Sequence, residues 1–150
     1  MQELRGSCFC GQVTYTVSGK PILSAYCHCT LCQRLTASPF VHTVHFEPSA
    51  FTWTHTESEN SRLETYSPPS KPYKTRYRCK SCGSGVSSLN SKTNTCSVWG
   101  ATFERTPDGK IKAWDIIKPT AHTFYETRML DINDELSKWD GYEEKSNRMG

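Results

Sequence analysis

A mainly β domain of small antiparallel sheets, with one or two short helical turns, is what this sequence predicts. Short segments alternate apolar and polar side chains, Gly, Pro, Asn and Asp punctuate them, and no stretch keeps the helical period long enough to anchor an α/β fold. Residues 12–18 place Val13, Tyr15 and Val17 on one face and Thr14 and Thr16 on the other, the signature of a half-buried strand, and Lys20-Pro21 ends it. Residues 23–27 read as a second strand running into a cysteine-rich loop, and residues 30–36 as one or two helical turns with Thr30 as N-cap. Residues 40–46, 51–55, 62–66, 74–79 and 96–103 are rich in aromatic and β-branched side chains and read as further strands, with Ser67-Pro68-Pro69-Ser70 as a loop. Pro107-Asp108-Gly109 is a turn signal that predicts a hairpin from a strand ending near Phe103 to one containing Ile111, Ala113 and Trp114. Residues 131–139 read as a short helix anchored by Leu136 and Trp139, and residues 141–150 as a disordered tail.

A length of 150 residues suits one domain, spanning 1–150 with its core at about 4–139. The hydrophobic fraction of 35% is low, so bound metal would supply part of the folding free energy. A net charge of +3 tolerates an anionic ligand without marking a nucleic-acid binder. The densest basic stretch, Lys71, Lys74, Arg76, Arg78 and Lys80, alternates as a strand does, and a solvated face is its expected role. The residues before the first cysteine pair hold no apolar run fit for a signal peptide or membrane span. A cytoplasmic location is expected, with a nuclear one as alternative, and a homo-oligomer is permitted.

Seven of the eight cysteines fall into three groups, Cys8-x-Cys10-Gly11, Cys27-His28-Cys29-x-x-Cys32 and Cys79-x-x-Cys82-Gly83. Thiolates two or three positions apart, beside a turning glycine, converge on one tetrahedral ion, whereas disulfide frameworks spread their cysteines more widely. A closed structural zinc takes four protein ligands and a catalytic zinc takes three, so the grouping predicts one site of each kind. Cys8, Cys10, Cys79 and Cys82 would form the closed site, and Cys27, Cys29 and Cys32 the open one.

In order and spacing, Gly6-Ser7-Cys8-x-Cys10-Gly11, Cys27-His28-Cys29-x-x-Cys32-Gln33-Arg34 and Cys79-x-x-Cys82-Gly83 resemble the glutathione-dependent formaldehyde-activating enzyme family, which also includes centromere protein V. The resemblance runs from Leu4 to about Trp139, taking in Trp99-Gly100 and the segment around His122. It implies a zinc-bound β-tent fold, a structural zinc on the first and third cysteine groups, and a catalytic zinc on the middle group. It also implies making or breaking of carbon-sulfur bonds in glutathione adducts, with glutathione as substrate or co-substrate. Many family members have a glycine a few positions after the third middle cysteine, where this chain has Leu35-Thr36-Ala37-Ser38.

Three thiolates leave a zinc site with formal charge near minus one, so cationic neighbours are required; Arg34 is the first candidate and backbone amides near Cys29 the second. His28 lies between two ligands and is expected to point away from the metal, with a proton relay as the minority role. His42 and His45, three apart in a strand, fall on opposite faces and make weak ligands, and His55 and His122 have no partner in sequence. Cys96 reads as a core thiol, and Phe40, Trp53, Tyr77, Trp99 and Phe103 as core aromatics. A carbon-sulfur lyase acting on a thiol or glutathione conjugate is the leading function. A zinc-stabilised protein-binding module competes with it, and a zinc-thiolate redox sensor is a third reading.

Overall fold

The computed structural model describes residues 2–56 and 61–150. Two sheets form: a three-stranded one of β1 (Glu3–Ser7), β2 (Thr14–Ser18) and β5 (Phe51–Trp53), and a larger one. The larger holds β3 (Leu23–Cys27), β4 (Val41–Phe46), β6 (Leu63–Tyr66), β7 (Lys74–Cys79), β8 (Gly85–Asn90), β9 (Thr95–Trp99), β10 (Ala121–Thr123) and β11 (Ser137–Lys138). Its order is β11-β10-β3-β4-β9-β8-β7-β6, antiparallel except where β10 runs parallel to β3 and β11 to β10. The mainly β expectation is met. The strands β1 and β8 escaped the sequence reading, because a glycine in one and paired serines in the other blur the apolar alternation.

The core lies between the sheets. Tyr15 on β2 stacks on Phe51 with ring centroids 5.3 Å apart and meets Phe103 edge-on, while Val13, Val17, Val44, Phe46 and Val98 are wholly buried around them. Burial of each such side chain is worth roughly 2 kcal/mol. Cys96 faces this core beside Phe46's strand partner position, its Sγ 3.5 Å from Ser87 Oγ, which makes it the packing thiol the sequence suggested.

Several sequence expectations need correction. The strand read over 96–103 ends at Trp99 and turns through a 3₁₀ segment, Gly100–Thr102. The hairpin at Pro107-Asp108-Gly109 is real but short, with Arg105 opposite Ile111, and Trp114 begins helix α2 (Trp114–Ile117) instead of extending a strand. Residues 131–139 form no helix: Ser137–Lys138 adds to the sheet and the Trp139 amide donates to the His122 carbonyl, so sheet pairing outweighs a nucleation-limited short helix. Residues 141–150 fold back on the domain, where the Met149 amide donates to the Lys138 carbonyl, the Lys138 amide donates to the Gly150 carbonyl, and Tyr142 packs against Phe124.

Helix α1 (Thr30–Thr36) is capped by Cys29, whose Sγ accepts from the Cys32 amide, so Thr30 is the first helical residue and not the cap. The helix ends on Ala37 at φ 54, a left-handed position suited to glycine. Ala37→Gly should relieve that backbone strain and raise stability by about 1 kcal/mol, read as a shift in denaturation midpoint with an unchanged slope.

Candidate functional site

The first and third cysteine groups meet across the fold. Cys8 and Cys10 follow β1, Cys79 ends β7, and all four sulfurs of Cys8, Cys10, Cys79 and Cys82 lie within 4.8 Å of one another. Adjacent Sγ atoms are 3.6 Å apart for Cys8–Cys10 and 3.7 Å for Cys10–Cys79. These are edges of a thiolate tetrahedron, about 3.8 Å for a zinc-sulfur bond near 2.3 Å, and far longer than a disulfide at about 2.0 Å. Two left-handed glycines, Gly11 at φ 82 and Gly83 at φ 76, turn the chain past each pair, and the amides of Val13 and Cys82 point at the Cys8 and Cys79 sulfurs.

The middle group forms a second cluster. Cys27 at the end of β3 and Cys32 in α1 lie 3.7 Å apart by sulfur, and all three sulfurs, with Cys29, fall within 4.8 Å. Among the described residues no fourth Cys, His, Asp or Glu joins them, so an ion held there keeps one open corner. Hydrogen bonds with the Cys27 and Cys32 thiols pull Cys29 well below the usual thiol range, helped by the Cys32 amide and the charge of Lys74 against the opposing effect of burial. Bonds to the other two thiols, together with burial, push Cys27 up instead. The three thiols titrate as one unit that favours a shared anion.

Sheet register decides what faces this cluster. Cross-strand partners share a face, and the row Leu23, His45, Ser97, Ser88, Arg76 runs over β3, β4, β9, β8 and β7. Cys27 shares that face with Leu23 by alternation, and Lys74 shares it with Arg76. The basic stretch read as a solvated face is therefore divided. Arg78 pairs with Glu64 at 2.8 Å in solvent, whereas Lys74 and Arg76 are half-buried, Lys74 acting on Cys29 and Arg76 on Cys32. Arg34, the first candidate from sequence, is exposed in the last turn of α1. Trp99 lies on this same face and carries the Arg76 guanidinium 5.4 Å from its ring centre, so it is a site aromatic more than a core one. The folded-back tail brings Tyr142 beside His45, and burial, followed by the Cys27, Cys29 and Cys32 charges, pushes its phenol up to about 12.

The opposite face holds His122, which sequence left without a partner, together with His28. His122 is fully buried and hydrogen-bonded at 2.8 Å both to His28 and, through Nε2, to Asp134, which also binds Lys138. Burial opposes ionisation of Asp134, but Lys138 and His122 win and lower its carboxyl to about 2. The carboxylate accepts the His122 Nε2 proton, so His122 Nδ1 accepts from His28 Nε2–H and His28 Nδ1 is left as a buried lone pair, which agrees with its having no partner. His28 points away from the thiols, as expected. Its carbonyl accepts from Gln33 and Thr127, so the chain of side chains pins the loop between Cys27 and Cys29. His55 contacts the Thr14 backbone.

His42 also lies on that face, bonded to Ser24 Oγ at 2.8 Å and to the Ile117 carbonyl at 3.0 Å. Burial lowers His42 to about 4, and burial with Lys74 does the same for His45. The unfolded chain takes protons near pH 6.5 while the fold refuses them until about 4, so stability is full above pH 6.5 and declines towards 4. Each histidine should account for about 2 kcal/mol between pH 7 and 5. His42→Gln should remove its share of the slope when denaturation is followed at those pH values.

Two shallow clefts, of about 380 Å³ beside Leu4, Phe103 and Lys112 and about 400 Å³ beside Arg5, Thr16 and Thr54, contain no cysteine or histidine. Among the described residues no helix is long and apolar enough to cross a membrane. No curated protein sequence matches this chain. A crystal structure of a Rhodobacter sphaeroides protein is similar in fold, with 18% identity and a TM-score of 0.54 over 69% of this chain and 92% of that one. The family model for glutathione-dependent formaldehyde-activating enzyme matches residues 3–127, which span both cysteine clusters and the strands that position them. The chain belongs to the glutathione-dependent formaldehyde-activating enzyme family.

Proposed function

We propose that this chain is a zinc-dependent carbon-sulfur lyase, or a related enzyme, acting on glutathione adducts of the S-hydroxymethylglutathione type or on other glutathione conjugates. The observation behind this reading is the three-thiol cluster with one corner free, beside a four-thiol cluster with none. Cys8, Cys10, Cys79 and Cys82 hold a structural zinc in this reading, and Cys27, Cys29 and Cys32 a catalytic one. Zinc bound by the middle group would lower the pKa of a substrate sulfur and stabilise it as nucleophile or leaving group. The chain's own residues orient that sulfur: Lys74 and Arg76 offset its negative charge and the Cys32 amide steadies Cys29. His45, held neutral by burial, is a proton acceptor on the same face. Arg34 stays a weaker candidate for charge neutralisation because it is exposed.

A chelator titration of anaerobically purified protein tests this. About two zincs per chain are expected, one released readily and one slowly, with glutathione binding by calorimetry lost together with the first. A single slowly exchanging zinc and no glutathione binding would favour the protein-binding module.

A further inference from the structure

Lys74 and Arg76 are the cations the site has and has not spent. Neither pairs with a carboxylate among the described residues, although the neighbouring Arg78 does. Arg76 Nε is buried with no hydrogen-bond partner, a rare state for a strong donor. The hydroxyls nearest in register do not take it up, since Ser88 Oγ and Ser97 Oγ bond each other at 2.8 Å. Trp99 holds the guanidinium against its ring and so fixes the plane of the fork. A half-buried, unpaired, oriented guanidinium with an ammonium two residues away on the same strand face suits a planar, two-oxygen anion better than a point charge.

Charge compensation of the thiol cluster alone would explain a cation nearby, and Lys74 is placed for it. It does not explain a buried Nε–H left without an acceptor, because sulfur charge is non-directional at that range whereas the donor calls for an oxygen along its axis. We infer that Lys74 and Arg76 form a carboxylate subsite, which holds a carboxylate of the thiol substrate while its sulfur takes the open corner of the three-cysteine centre. The inference rests on the open-centre reading above and names the recognition element it lacks. It also assigns the selectivity: a neutral thiol of equal size reaches the metal corner but leaves the guanidinium unpaired.

The zinc-loaded full chain can be titrated with two probes that differ only in charge at the carboxyl groups, glutathione and its analogue with both carboxylates converted to amides. The acid should bind about tenfold tighter or more, the worth of one charge-assisted hydrogen bond. Arg76→Gln should bring the ratio close to one with zinc content unchanged, the acid losing much more affinity than the amide, and Lys74→Gln should reduce the ratio in the same direction. Should Arg76→Gln not fold, as judged by circular dichroism, Lys74→Gln alone decides. Equal binding of acid and amide by the native protein would overturn the subsite while leaving the open centre standing, as would variants that weaken both probes alike. Failure of both probes to bind zinc-loaded protein would overturn the open centre and the subsite together.

Discussion

Cys79→Ser should leave the chain without a stable fold and with the closed cluster empty of metal. Cys79 is 1% exposed, its sulfur lies 3.7 Å from Cys10, and it accepts the Cys82 amide, so it joins the loop after β1 to the end of β7 across 69 residues of sequence. A serine hydroxyl stays protonated near neutral pH and binds zinc poorly, and here it would be buried. Structural zinc is worth about 10–16 kcal/mol in small zinc peptides, against a net stability of about 5–15 kcal/mol for a typical domain. Even a fraction of that loss exceeds what a 35% hydrophobic chain holds in reserve. Far-UV circular dichroism and zinc per chain measure both effects, and a folded Cys79→Ser protein with full zinc would refute the structural role.

Cys29→Ser should behave oppositely: a folded protein, one zinc fewer, and turnover of glutathione adducts reduced by about 1000-fold or more, equivalent to about 4 kcal/mol of transition-state stabilisation. The fold survives because Cys29 serves local structure only as the N-cap of α1, a role serine fills well. Chemistry fails because the open cluster has only three thiols, so losing Cys29 leaves two, and Cys29 is the half-buried one. Unchanged thermal stability with lost thiol binding separates an enzyme's exchangeable centre from a binding module, in which removing either cluster would cost stability alone. Zinc release from the native protein by mild peroxide would point to the redox-sensor reading.

The cysteine partition was legible before any fold was known, since ligand spacing is local and the sum of two, two and three thiols admits few arrangements. So were most strands, where Val13, Tyr15 and Val17 alternate cleanly, and so was the outward turn of His28 from its neighbours. The helix expected over 131–139 was not to be had from sequence, because its residues are claimed by pairing with a strand formed elsewhere in the chain. The tail's return, which sets Tyr142 beside His45, is likewise a long-range contact without a local signature.

The sequence by itself determined the two cysteine clusters that could hold metal and the β class, because both follow from the spacing of chemically demanding side chains along the chain. Only the tertiary structure decided which charges serve the site. Lys74, Arg76 and Arg78 look alike in a row and alternate onto one strand face, but sheet register sets Arg78 opposite Glu64 of the edge strand, exposed and paired, and leaves the other two half-buried and acting on the thiols. His28, His122 and Asp134, up to 106 residues apart in numbering, meet only because β10 lies parallel to β3. Side-chain partnership across a sheet depends on register, and register is a property of the whole fold.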